Sequence, residues 1–139
     1  MITAKEVLSE FKKMDYDDKW GKFVNFEDLL GKTIVDIHGA ERNSEFIAIV
    51  CDDGSKYVMY HERDCCEHVW VEDVCGSIER IVDRPLLKAE ESKKHEEGEW
   101  GDSTTWTFYH IATVKGYVTI RWCGTSNGYY SESVSIIKL

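Results

Sequence analysis

The sequence predicts an α+β fold with a largely antiparallel sheet, and three observations carry that reading. The first 14 residues have helical periodicity under a capping box. From Lys32 onward the pattern changes to short β-branched and aromatic runs. Asp-Gly, Lys-Gly and Asn-Gly punctuate those runs at hairpin spacing. The chain is 139 residues long and 42% hydrophobic, enough for the core of one ordinary domain.

Thr3 and Glu6 form the capping box, and Val7, Leu8, Phe11 and Met14 share one face, which predicts a helix over 4–14. Asp15 to Asp18 breaks it. Asn25 then caps a short turn from Phe26 to Leu30 that Gly31 ends. Residues 1–27 read as an N-terminal helical extension, and 28–139 as a single α+β domain.

Strands are expected over 33–37, 45–51 and 56–60, the last two joined by Asp52-Asp53-Gly54-Ser55. His68 to Asp73 alternates and is either a short strand or a connection. Cys75 to Val82 places Ile78, Ile81 and Val82 on one helical face, so a mid-chain helix is expected, closed by Pro85. Glu90 to Ser103, dense in Glu, Lys, Gly and Ser, reads as an exposed loop. Thr104 to Val114 and Tyr117 to Cys123 form a second hairpin about Lys115-Gly116, and Tyr129 to Ile137 a last strand.

The 26 acids against 17 bases leave a net charge of −9. That balance disfavours a broad nucleic-acid-binding face and direct sequence-specific nucleic-acid recognition. It suits a soluble protein or one with a basic partner. No apolar run approaches a membrane span. Five cysteines with no secretory segment lead us to expect a cytoplasmic protein with free thiols.

Chemistry concentrates between Tyr60 and Gly76, where two histidines, three cysteines and five carboxylates crowd together. Zinc is one reading, with His61, Cys65, His68 and Cys75 as ligands. Adjacent Cys65 and Cys66 spoil the usual spacing, and a thiol packed in the core explains either one. A cysteine nucleophile is a second reading, but Glu62, Asp64, Glu67, Glu72 and Asp73 would raise its pKa. Hard-cation binding is a third, without the loop pattern that normally accompanies it.

The last strands offer a further site. Arg121 shares a face with Tyr117 and Thr119, and Asn127 and Tyr129 follow. An arginine among aromatics suits a phosphate or a stacked base; an arginine stem covering a tyrosine on a wet sheet is the plain alternative. His61, Asp64 and Glu67 are expected to border the same ligand. No phosphate-binding glycine motif occurs, so no cofactor is expected.

Leu30-Gly31-Lys32-Thr33-Ile34, Met59-Tyr60-His61, Asp64-Cys65-Cys66-Glu67, Val71-Glu72-Asp73-Val74-Cys75-Gly76, Trp106-Thr107-Phe108-Tyr109, the run from Lys115 to Trp122, and that from Ser126 to Glu132 carry a resemblance. Together they resemble a family of small phage and prophage proteins of the DUF7448 type, over about residues 28–139. The resemblance implies an accessory, non-enzymatic role in an infected bacterium. By analogy with small phage proteins, the ligand would be a nucleotide-like immune signal trapped by a sponge, in a pocket between protomers of a homo-oligomer. The alternatives are direct inhibition of a host defence nuclease, and a metal-dependent or cysteine enzyme.

Overall fold

The computed structural model describes residues 1–139. It contains one α-helix, α1 (Ala4–Lys12), and eight strands: β1 (Ile34–His38), β2 (Ile47–Cys51), β3 (Lys56–Tyr60), β4 (His68–Cys75), β5 (Lys88–Glu97), β6 (Ser103–Thr113), β7 (Gly116–Ser126) and β8 (Ser135–Lys138). The strands form two four-stranded sheets, ordered β1-β2-β3-β8 and β4-β7-β6-β5. Every strand pairing is antiparallel. No helix is long and apolar enough to cross a membrane.

Strand alternation explains the layering. Ile47, Ile49, Tyr57, Met59 and Ile136 of the first sheet share one buried cluster with Val69, Val71, Tyr109, Ile111, Val118, Ile120 and Trp122 of the second. The intervening residues Ala48, Val50, Val58, Tyr60 and Ile137 face the other way and pack on Ala4, Val7, Leu8 and Phe11 of α1. The molecule is therefore helix on sheet on sheet. The capping box at Thr3 and Glu6 is present, and the Asp36 carboxylate accepts a 2.7 Å hydrogen bond from the Ala4 N–H. A bulge between Ile34 and Asp36 of β1 sits where that carboxylate meets the positive end of the helix.

Three expectations are corrected. The loop expected over 90–103 is for the most part strand: Lys88–Glu97 is a ten-residue edge strand paired along its whole length with β6, and only residues 98–102 form the connection. It is polar because few of its side chains reach the core; Ala89 is the buried one. The mid-chain helix is only a 3₁₀ turn, Ile78–Ile81, because β4 continues to Cys75 and Asp83 takes a positive φ just beyond. The last strand is also shorter than expected. Residues 127–134 form a connection, strapped to the end of the sandwich by polar groups.

Candidate functional site

The residues singled out in the sequence separate into three places. Tyr117, Thr119 and Arg121 lie on the outer face of the second sheet. Arg121 is mid-strand, and its guanidinium sits 5.6 Å from the Trp106 ring. Its Nε donates to Glu72 at 2.6 Å, its Nη2 lies 2.5 Å from the same carboxylate oxygen, and Asp73 is 3.8 Å away. The fork is thus already engaged by carboxylates. Thr119 contacts His110 at 3.4 Å, and Tyr117 is exposed at the hairpin end. Tyr109 and Trp122 point the opposite way, into the core.

Asn127 and Tyr129 lie near the opposite end of β7, in a polar cleft of about 400 Å³ with His95, Glu97 and Asp102. Beneath it Glu132, which the sequence reading passed over as a site, is buried. Its carboxylate accepts hydrogen bonds from the hydroxyls of Ser103 and Ser126, each at 2.6 Å, and of Thr105 at 2.7 Å. Burial alone would push this carboxyl up, but the three hydroxyls hold it below its ordinary value.

His61 and the turn after β3 form the third place. The Glu67 carboxylate is completely buried. It accepts from the Asp64 N–H at 2.9 Å and the Cys65 N–H at 2.8 Å, and faces His61 Nε2 at 2.9 Å. Burial works to raise it, yet the Asp64 N–H, His61 and the Cys65 N–H bring it down to about 2. His61 Nδ1 meets the Ser133 carbonyl at 2.7 Å. Both ring nitrogens can donate together only as the imidazolium. This pair ties the turn to the 127–134 connection.

The proposed zinc set does not assemble. Cys65 and Cys66 are exposed and bonded to each other, which corrects the expectation of free thiols and of a core-packed cysteine at this turn; Cys51, Cys75 and Cys123 are free. His68 stacks on Trp70, and Cys75 ends the same strand seven residues on, about 23 Å away. No three His, Cys, Asp or Glu side chains converge as metal ligands. The two buried thiols are not activated. Burial pushes Cys51 and Cys123 up, and the Glu72 and Glu132 carboxylates push Cys123 further.

A feature that sequence reasoning missed lies between α1 and His61. A groove of about 320 Å³ is lined by Phe11, Phe46 and Tyr60, by Lys12, Lys19 and Arg63, and by Glu62. A smaller recess of about 140 Å³ shares Phe46, His61 and Arg63 with it. Lys19 Nζ lies 4.7 Å from the Phe11 ring centroid and 5.2 Å from that of Tyr60, with Glu62 at 3.4 Å. Lys12 Nζ is 5.0 Å from the Phe46 centroid. Arg63 Nε donates to the Cys65 carbonyl at 3.0 Å. Tyr60 is buried, its hydroxyl makes no hydrogen bond within the protein, and burial pushes its phenol up to about 12. It therefore remains a proton donor at neutral pH. The groove joins residues 11–19 to Phe46 and to residues 60–63, all 27 or more positions later, so no local motif announced it.

A family model described as "Domain of unknown function (DUF7448)" matches residues 27–136. The chain belongs to that family. No curated protein and no solved structure matches it. Among the residues quoted for the resemblance, Tyr60, His61, Glu67 and Glu132 fall inside the DUF7448 region and form the groove wall and both buried acid clusters. The helix that supplies Phe11 and Lys12 lies before it.

Proposed function

We propose that this DUF7448 protein is a non-enzymatic binding protein for a small anionic, nucleotide-like ligand, held in the groove between α1 and the His61–Arg63 segment. One observation carries the reading: on a chain of net charge −9, three cations and three aromatic rings line one concave site. Phe46 offers a partly open ring on which a base can stack. Lys12 and Arg63 have no carboxylate partner, and both can meet phosphate oxygens. The groove volume falls at the lower end of the range for small-ligand sites. In the phage setting that the resemblance implies, such binding would withdraw a cyclic nucleotide-like immune signal from the host.

The test is a thermal-shift and calorimetric panel of cyclic ADP-ribose isomers and cyclic dinucleotides. A ligand that raises Tm should lose at least tenfold in affinity in Lys12→Glu/Arg63→Glu and keep its affinity in Arg121→Ala. No shift across the panel defeats the proposal, and loss in Arg121→Ala alone moves the site to the sheet face.

The sheet face favours a second reading, direct inhibition of a host defence nuclease. Trp70, Trp106 and Phe108 are only half-buried there, around an arginine whose charge is already balanced. Half-exposed aromatics of this kind suit a macromolecular contact. A host nuclease inhibited by the wild type but not by Trp106→Ala/Phe108→Ala would support this reading; equal inhibition by both would remove it.

A further inference from the structure

The two sheets have four edges, and three carry main-chain hydrogen bonds to a neighbouring segment along part of their length. On β8, the Ile136 carbonyl accepts from the Val24 N–H and the Lys138 N–H donates to the Lys22 carbonyl, both at 2.9 Å. On β4, Val71 exchanges bonds with Asn43 and Ser44 at 2.8 and 2.7 Å. On β1, the Ile34 carbonyl accepts from the Asp83 N–H at 2.8 Å. The remaining edge, β5, is ten residues long and has no main-chain partner beyond β6, although the 3₁₀ turn Phe26–Leu29 packs beside it and would have to give way to a second strand. Its hairpin closes through the Gly98 N–H to the Asp102 carbonyl. By alternation the even-numbered residues of β5 bond to β6, and residues 89, 91, 93, 95 and 97 direct their main-chain groups away from the sheet. The Glu91 N–H agrees, since it meets only the Glu27 carboxylate, at a long 3.3 Å. An open edge of this length is a template for another strand.

The side chains of β5 specify which strand fits. From Lys88 to Glu96 the sequence is Lys-Ala-Glu-Glu-Ser-Lys-Lys-His-Glu. Its charges invert on reversal about Ser92. In an antiparallel pair centred on Ser92, Lys88 meets Glu96, Glu90 meets Lys94, Glu91 meets Lys93, and Ala89 meets His95. Each charged pair lies on one face of the sheet, even with even and odd with odd. The outward main-chain groups of Glu91 and Lys93 also stand opposite each other, as a hydrogen-bonded pair requires. Directly opposed opposite charges stabilise such a pairing, whereas like charges oppose it. Shifting the axis by one residue to Lys93 would set Lys93 against itself.

We infer that β5 is a homodimerisation edge: two copies of this chain pair antiparallel about Ser92, making one eight-stranded sheet across a two-fold axis. The contact is isologous, so it closes and does not propagate. Formation exchanges the long Glu91–Glu27 bond for main-chain bonds to the second copy. The diagonal pairs within each strand, Lys88–Glu90 at 3.7 Å, Lys93–Glu91 at 3.5 Å and Lys94–Glu96 at 3.3 Å, show these side chains already within reach of one another along the edge. The proposal does not depend on the groove, which lies against the other sheet.

Sedimentation of the full chain at about 100 µM, well above a micromolar dissociation constant, tests it. The wild type should sediment at twice the mass of one chain. Lys93→Glu/Lys94→Glu and Glu90→Lys/Glu91→Lys should each sediment as monomers, and their equimolar mixture should recover the dimer. The fourfold swap, which restores complementarity within one chain, should dimerise alone. A wild-type monomer overturns the inference, and so does a dimer that persists in both double variants. Glu90, Lys93 and Lys94 are exposed and Glu91 is half-buried, so an unchanged melt in each variant confirms that the edge was altered and not the fold.

Discussion

Two carboxylates of similar appearance in the sequence have opposite energetic standing. Glu67 is fully buried and fixed by two N–H groups and His61, whereas Glu72 reaches Arg121 in a partly wet pair, with 28% and 39% of their side chains exposed. Removing one partner from a buried, hydrogen-bonded charge leaves the others desolvated. Glu67→Gln should therefore lower unfolding stability by roughly 2–3 kcal/mol, while Glu72→Gln should change it by about 0–1 kcal/mol; urea titration separates them. The sequence brought Glu67 and His61 forward as neighbours of a site, because acids and imidazoles six residues apart after a strand stand out. It gave no reason to choose Glu132, since one acid in a Ser- and Tyr-rich turn resembles any solvated residue. Its three hydroxyl donors come from β6 and β7, 6 to 29 positions away. Arg121 was read correctly onto its face, but its engagement depends on Glu72, 49 residues earlier.

At the scale of elements, α1 shows why periodicity is a strong signal. Its four apolar positions are buried on its own sheet, and Phe11 packs at 4.7 Å from Tyr60 and 6.0 Å from Phe46. Phe11→Ala should cost about 3–4 kcal/mol by cavity formation, against about 1 kcal/mol for Thr3→Ala at the cap. Equal losses would mean that the helix is held by its cap and not by its face. Gly39, before β2, is similarly constrained: its φ is +89°, and a Cβ there would collide with the Phe46 carbonyl oxygen. Gly39→Ala should destabilise by more than the roughly 1 kcal/mol of a positive φ alone, and should loosen the Phe46 wall of the groove. The hairpins at Asp53-Gly54 and Lys115-Gly116 were legible for the same local reason, turn chemistry. β5 was not. An edge strand over-running the core has no apolar alternation, and its pairing with β6 is tertiary information.

At the scale of the whole molecule, both buried acids cluster at one end of the sandwich and tie down one segment. His61 holds the Ser133 carbonyl, Glu67 holds His61, and Glu132 is bound into β6 and β7. The folded protein keeps the Glu67 carboxyl near 2 and the Glu132 carboxyl below its ordinary value of 4.5. Both therefore favour the folded state fully above the ordinary carboxylate range. Their contribution is lost as pH falls through that range toward about 2, because the unfolded chain then binds protons first. The general acidity of the chain acts in the other direction. Approaching the sequence pI of about 5.0 from neutral pH relieves self-repulsion before either acid titrates. Stability should thus be flat or slightly rising from neutral pH down to about pH 5, then fall steeply below the ordinary carboxylate pKa of about 4.5. Glu67→Gln/Glu132→Gln should start lower and lose most of that acid slope. Amide exchange should open residues 127–134 before the strands of either sheet. A double variant that retains the wild-type slope would show that acid unfolding begins elsewhere. If the strands exchange first, the connection is held by contacts other than these two carboxylates.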